Sequence, residues 1–396
     1  YQQSRIGDQY HFEKQLAKRF GTSETEKLME LYRENWITER DFILVKSFGM
    51  NTIRLPFEYR LLMDDDQPFK LKENAWYWLD MAVSLAEKYD LYIILDMHGA
   101  PGRQSGMDHT GRSDYNQLWS DEVSQDLTAW LWLEISRHFR GHPTIAAYDI
   151  LNEPWGGNEQ ELKELILRCY DVIRLDKDDS IIIFPGHYSG IDFYKGVDAI
   201  TTNIIYTMHF YPGFFGWGAP VPQVHADFLD NGLVSWKKRM DELNVPLLIG
   251  EFNVVSKRAG GGEMMRRYFD RYEEYGWPAT MWSFKVLSRQ GSIGFHHKML
   301  WGMVKNVQPL DKLDLIEGSL TEIEEWFKTL GTMEYAVDTD LQHWLTTTDI
   351  PSALEGLPPL PPPIKEAPGQ DEMVSGWLAA DIGDPLEGGQ LVEGNK

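Results

Sequence analysis

The chain reads as an α/β protein with a (β/α)8 TIM-barrel architecture, on three observations. Short apolar, β-branched runs alternate with longer stretches of helical periodicity. The spacing between runs is that of successive βα units on a parallel sheet rather than of two separate domains. The polar residues best suited to chemistry fall where the apolar runs end, which in such a barrel is the face that carries active sites.

The strand candidates are Thr52–Leu55, Tyr92–Met97, Ile145–Leu151, Ser180–Phe184, Ile204–Met208, Pro246–Gly250 and Thr280–Phe284. Helical patterns lie between them at Asn74–Lys88, Ser120–Phe139, Glu159–Asp176, Phe228–Leu243 and Gly262–Tyr275. The stretch from Tyr1 to Trp36 reads as loop and helix, so the first of the eight strands is not identified. The catalytic domain is expected to occupy residues 1–349. A Pro-rich linker or strap follows at 350–370, where Leu357-Pro358-Pro359-Leu360-Pro361-Pro362-Pro363 favours an extended polyproline conformation. Residues 371–396, which include Trp377, form an acidic, Gly-rich tail or the opening of an accessory module.

Composition narrows the function. A formal net charge of −23 argues against nucleic acid and against anionic membrane surfaces as partners. No run approaches the ~18 apolar residues of a membrane span. The single cysteine, Cys169, excludes an intramolecular disulfide and sits in a helical pattern as a small buried residue rather than a nucleophile. Fifteen Trp, 18 Tyr and 18 Phe supply many flat apolar faces, which suit either core packing or stacking against sugar rings.

Each strand end can then be weighed for chemistry. Arg54-Leu55-Pro56 places an Arg that either pairs with a core carboxylate or holds a catalytic one ionised. Asp96-Met97-His98-Gly99-Ala100-Pro101-Gly102 turns away sharply and leaves His98 at the rim. Leu151-Asn152-Glu153-Pro154-Trp155 closes an apolar strand with two polar side chains, an arrangement that is costly unless both are used. His209 and Tyr211 share a side by strand alternation, Glu251 repeats the situation of Glu153, and Trp282 brings an indole to the rim. Two carboxylates at one barrel mouth suit acid–base and nucleophilic work, or metal ligation together with His98 and His209. For glycoside hydrolysis with retention they must stand roughly 5–5.5 Å apart.

The ordered set Arg54, His98, Asn152-Glu153, His209 with Tyr211, Glu251 and Trp282 resembles glycoside hydrolase family 5 from about Asn35 to Asn306. Trp36-Ile37-Thr38-Glu39-Arg40-Asp41-Phe42 and Leu95-Asp96-Met97-His98-Gly99-Ala100-Pro101-Gly102-Arg103-Gln104 look like the exo-β-1,3-glucanase branch and its bacterial relatives. Those relatives begin with a Gly-Gly-Trp segment that has no counterpart here.

The resemblance implies a retaining β-glycoside hydrolase with Glu153 as acid/base and Glu251 as nucleophile. Arg54 and Tyr211 would donate to Glu251, and Asn152 would bind the sugar 2-hydroxyl. His98 and His209 would bind hydroxyls or orient the carboxylates, with Trp282 as the floor of the site. Trp155, Phe214, Phe215 and Trp217 are stacking candidates for neighbouring sugars. The loop Gly99–Trp119, with Arg103, Asp108, His109 and Arg112, would shape the pocket. No metal or cofactor is implied, and the partner is a β-linked oligo- or polysaccharide. A secreted or periplasmic location follows from that substrate class. A carbohydrate-binding protein on a degenerate barrel and a transglycosylase using the same residues remain alternatives.

Overall fold

The computed structural model describes residues 7–214, 217–219, 221–254, 260–286, 302–307 and 313–347. Phe215 and the linker and tail expected beyond residue 349 lie outside the described residues. Seven parallel strands pair in sequence order into one sheet. They are β1 (Thr52–Glu58), β2 (Tyr92–Gly99), β3 (Ile145–Asp149), β4 (Ile181–Pro185), β5 (Ile204–Phe210), β6 (Leu247–Phe252) and β7 (Ala279–Met281). Most aliphatic residues of β2, β3, β4 and β6 are buried on both faces, as in a parallel sheet covered by helices.

Alternation along the strands sorts the two faces. Ile93, Leu95 and Tyr148 join the large core under the outer helices, while Ile94, Ala147, Ile183 and Leu248 form a separate apolar layer. Two residues further along, the same columns carry Asp96 on β2 and Asp149 on β3, which are register partners. The enclosed face thus passes from apolar to charged toward the strand ends.

The outer helices start where their capping residues dictate. The helix Glu122–Phe139 is capped by Asp121, whose side chain accepts from Ser124 N. Asn158 opens the helix Glu159–Leu175 with a reciprocal capping box closed by Glu161. The helix expected over Phe228–Leu243 is preceded without a break by the helix Pro222–Asp227 and passes through a π turn at Phe228–Gly232 before regular geometry from Leu233. None of the described helices is long and apolar enough to cross a membrane.

No strand precedes β1 among the described residues, and β1 and β7 approach without pairing. The seven strands therefore take the second to eighth places of the eightfold scheme. The N-terminal region instead forms two helices, Gln9–Phe20 and Thr22–Trp36, whose Leu16, Leu28 and Met29 pack with Ile323, Phe327 and Leu330 in their own apolar cluster. A small sheet of Lys285–Val286, Val304–Asn306 and Tyr335–Val337 continues from β7. Buried Lys285 ties it to the N-terminal helices, donating to the carbonyls of Trp36 at 2.7 Å and Leu330 at 2.5 Å.

Candidate active site

Glu153 is placed by strained backbone. After β3 the chain continues through Ile150 and Leu151, and Asn152 N donates back to Met97 O at 3.1 Å. Glu153 then adopts φ of 41°, a left-handed conformation that costs a non-glycine residue roughly 1–2 kcal/mol, and Pro154 follows. The buried Gln104 amide braces this corner: its Nε2 donates to the carbonyls of His98 and Asn152, each at 2.8 Å, and its Oε1 accepts from Ala100 N. Gly99 is required beside it, because a Cβ there would collide with the Thr110 carbonyl oxygen.

Arg54 is the hub of the site. Its Nε donates to Asp149 Oδ2 at 2.8 Å, its Nη1 to Glu251 Oε1 at 3.0 Å, and its Nη2 to Asn152 Oδ1 at 2.9 Å. Nη1 also lies 3.1 Å from Asp96 Oδ2. Arg54 therefore pairs with core carboxylates and with the candidate nucleophile at once. Burial opposes its charge, yet the carboxylates of Asp96, Asp149 and Glu251 outweigh that and hold it firmly protonated. Burial pushes Asp96 and Asp149 up to about 6 each, with Arg54 pulling the other way. One guanidinium facing three carboxylates leaves the cluster short of positive charge. Oδ1 of both aspartates also lacks a hydrogen-bond partner among the described residues.

The second oxygen of Glu251 is satisfied separately, since Tyr211 donates its hydroxyl to Oε2 at 2.9 Å. Burial first, and then the Glu251 charge, hold that hydroxyl far above its ordinary pKa, so it remains a donor. His209 Nδ1 lies 2.8 Å from Glu153 Oε1 and 3.6 Å from Glu251 Oε2, which places it between the two glutamates. His109 Nδ1 stands 3.5 Å from the other oxygen, Glu153 Oε2. Burial raises Glu153 above its ordinary carboxylate pKa, while His109 and Arg54 work against the rise.

On the opposite wall, His98 Nδ1 lies 2.7 Å from Asp96 Oδ2, the geometry of an N–H donating to a carboxylate. Its Nε2 then faces Asn152 Nδ2 at 3.2 Å. Burial pushes His98 and His109 down to about 4 and lowers His209, so all three imidazoles are neutral near pH 7. Trp282 stacks on His98 with ring centroids 5.4 Å apart and planes 8° from parallel, and 39% of its surface stays open to solvent. Asn253 fixes it by donating to the Trp282 carbonyl at 2.5 Å.

All eight residues singled out as site residues in the sequence meet at this mouth. Some other expectations change. Phe214 is fully buried and packs in the protein rather than offering a face to a sugar. Arg103 is buried as an ion-pair partner of Glu58, and Arg112 is sandwiched between the rings of Tyr10 and Tyr115. Both shape the Gly99–Trp119 loop from within it. Asp96, Asp149 and Gln104 were missed as parts of the site, and His109 was noted only as a loop residue. A charged residue inside each of two apolar strands was the available signal for the aspartates.

The nearest donor atoms of Glu153, His209 and Glu251 lie within 4.8 Å of one another, a spacing that would also admit a metal ion. The donor set does not suit one. Both Glu251 oxygens are engaged by Arg54 and Tyr211, and a guanidinium 3.0 Å away would repel a cation.

The chain matches the family model described as Cellulase (glycosyl hydrolase family 5) over residues 11–288. It is 30% identical over 307 residues to a "Beta-xylosidase" of Phanerodontia chrysosporium, covering 74% of this chain and 64% of that protein. It is 31% identical over 195 residues to the "Glucan 1,3-beta-glucosidase" of Kluyveromyces lactis, covering 47% and 44%. The chain thus spans roughly half to two-thirds of the length of these curated relatives. In structure it is similar to Thermotoga maritima Cel5A solved with mannotriose, at a TM-score of 0.55 and 19% identity over 78% of this chain and 90% of that one. That likeness establishes the shared barrel fold.

Proposed function

The chain belongs to glycosyl hydrolase family 5, and from that membership we propose that it is a retaining β-glycoside hydrolase acting on β-glucan-type oligo- or polysaccharides. The observation that carries this reading is the separation of the two glutamates. Their nearest oxygens lie within 4.8 Å, a close approach that suits the roughly 5–5.5 Å between carboxyl groups in double displacement better than the roughly 6.5–9.5 Å of inversion.

In the first step a Glu251 carboxylate oxygen attacks the anomeric carbon. The bond to the leaving group breaks, and Glu153 gives that oxygen its proton. In the second step water attacks the same carbon, the ester to Glu251 breaks, and Glu153 takes the proton from water. Burial raises the Glu153 pKa, which favours the protonated form that the first step uses. Esterification of Glu251 removes a nearby negative charge, which favours the ionised Glu153 needed for the second.

Arg54 and Tyr211 each donate to one oxygen of Glu251 and so aim it. Asn152, fixed by Arg54 through its carbonyl and by His98 beside its amide, has a second amide hydrogen to offer a sugar 2-hydroxyl. The Trp282 face is the floor beneath the ring being cleaved, and half-buried Trp155 and exposed Trp217 are the stacking surfaces for neighbouring sugars. No metal or cofactor enters either step. The polymeric substrate class also points to a secreted or periplasmic setting.

The test is sugar release from β-1,3-, β-1,4- and β-1,6-glucans, β-mannan and aryl β-glucosides and β-xylosides, with Glu251→Gln run in parallel. Turnover on a β-glucan or β-glucoside that vanishes in the variant supports the reading. Preference for xyloside would redirect the substrate class. A folded protein silent on the whole panel would contradict the hydrolase reading and favour a carbohydrate-binding role.

A further inference from the structure

The two oxygens of Glu153 are held unequally. Oε1 lies at ordinary hydrogen-bond distance, 2.8 Å, from His209 Nδ1, whereas Oε2 faces His109 Nδ1 across 3.5 Å. His109 comes from the loop after β2 rather than from a strand, and it is locked on its other side. Ser105 Oγ, itself buried, lies 3.3 Å from His109 Nε2 and already accepts from Met107 N at 3.3 Å. Its own hydrogen can donate to Nε2, and in that tautomer the His109 proton sits on Nδ1, the nitrogen 3.5 Å from Glu153. The ring is further fixed edge-on to Trp155, with centroids 5.8 Å apart, and to His98 at 6.1 Å.

We propose that His109 is a positioning residue that stabilises the ionised form of Glu153 through Oε2, and thereby serves the second, base-catalysed half of turnover more than the first. The inference rests on the reading of Glu153 as acid/base. In that tautomer of His109 an Nδ1–H 3.5 Å from Oε2 favours carboxylate over carboxylic acid. The other charged and titratable groups facing Glu153 are His209, Arg54, Asp96 and Asp108, with Glu251 across His209. Those facing His109 are Glu153, His98 and His209. None of these supplies a second donor to Oε2 among the described residues. The long separation fits a contact that tightens when Glu153 becomes anionic, and a glutamic acid bearing its proton on Oε2 remains free to reach the leaving oxygen.

The experiment compares wild type, His109→Ala, His109→Asn and Glu153→Ala on 2,4-dinitrophenyl β-glucoside, whose leaving group needs no protonation, and on an unactivated β-glucan. In His109→Ala, kcat on the activated glycoside should fall about tenfold, the effect of losing one weak hydrogen bond to a charged group. Its kcat/KM there should stay within about twofold, because that parameter reports the first step. Azide, which attacks the glycosyl-enzyme without base assistance, should restore kcat. On the glucan, the basic limb of kcat/KM should move to higher pH. His109→Asn, which keeps an N–H near the same place, should recover part of both effects.

An unchanged pH limb and kcat in both His109 variants would overturn the proposal. So would an equal loss of kcat and kcat/KM that ignores azide, which is the mark of simple misplacement. Glu153→Ala separates the two levels of argument: if it retains glucan turnover, Glu153 is not the acid/base and the underlying reading falls first.

Discussion

Replacing Arg54 by Lys keeps the charge and removes the geometry. Arg54 presents three nitrogen atoms to four acceptors, Asp149, Glu251, Asn152 and Asp96, at 2.8, 3.0, 2.9 and 3.1 Å. A lysine ammonium is one point with three hydrogens on a shorter, narrower head, so it cannot stand at hydrogen-bond distance from all four. At least one buried carboxylate then loses its counter-charge, which costs about 3–5 kcal/mol of stability. At roughly 2 °C per kcal/mol for a chain of this size, the melting temperature should fall by about 6–10 °C. If Glu251 is the acceptor abandoned, a charge-assisted hydrogen bond of about 1.5–3 kcal/mol goes with it, or about 10- to 150-fold in kcat/KM. Differential scanning calorimetry and kinetics on one β-glucoside read both numbers from one preparation. A variant melting within about 2 °C of wild type and keeping most of its activity would refute the assignment of Arg54 as the hub.

Other expectations follow from the same geometry. Burial raises Asp149 from 3.8 to about 6, so the folded state binds a proton that the unfolded chain releases near pH 4. That stabilisation is complete below about pH 4 and is lost as pH rises through about 6. Asp149→Asn, neutral throughout, should therefore become steadily less damaging relative to wild type as pH rises from about 4 to about 7.5, and the opposite slope in paired thermal melts would contradict the charge count around Arg54. Tyr211→Phe removes the donor on Glu251 Oε2 and should lower kcat/KM about tenfold with little change in melting temperature. Gly99→Ala should destabilise by about 1–3 kcal/mol or more, because the Thr110 carbonyl it meets is backbone and cannot rotate away. A normal melting curve for that variant would show that the corner after β2 has slack.

The pair of glutamates was legible because each closes an apolar strand, where an unused charge is expensive. The barrel was legible for the same reason in reverse: Ile93-Ile94-Leu95 and Ile181-Ile182-Ile183 are too apolar for a sheet with one wet face. What supports the site was harder to see. Asp96 interrupts its strand as plainly as His98 ends it, but only the register that sets Asp96 beside Asp149 shows that both serve Arg54. His109 lies eleven residues past His98 in a loop, and no periodicity predicts where a loop folds back. The N-terminal helices illustrate a different limit. Their periodicity was visible, but the partner that covers Leu16 and Leu28 comes from residues about 300 positions later.

The central claim is that Glu251 and Glu153 act together by double displacement. The most direct test is time-resolved proton NMR of the first sugar released from a β-glycoside, read before mutarotation. The account predicts that the β-anomer appears first and the α-anomer only as it equilibrates. An α-anomer formed first would mean inversion, and would contradict the role given to a pair of carboxylates whose nearest oxygens lie within 4.8 Å.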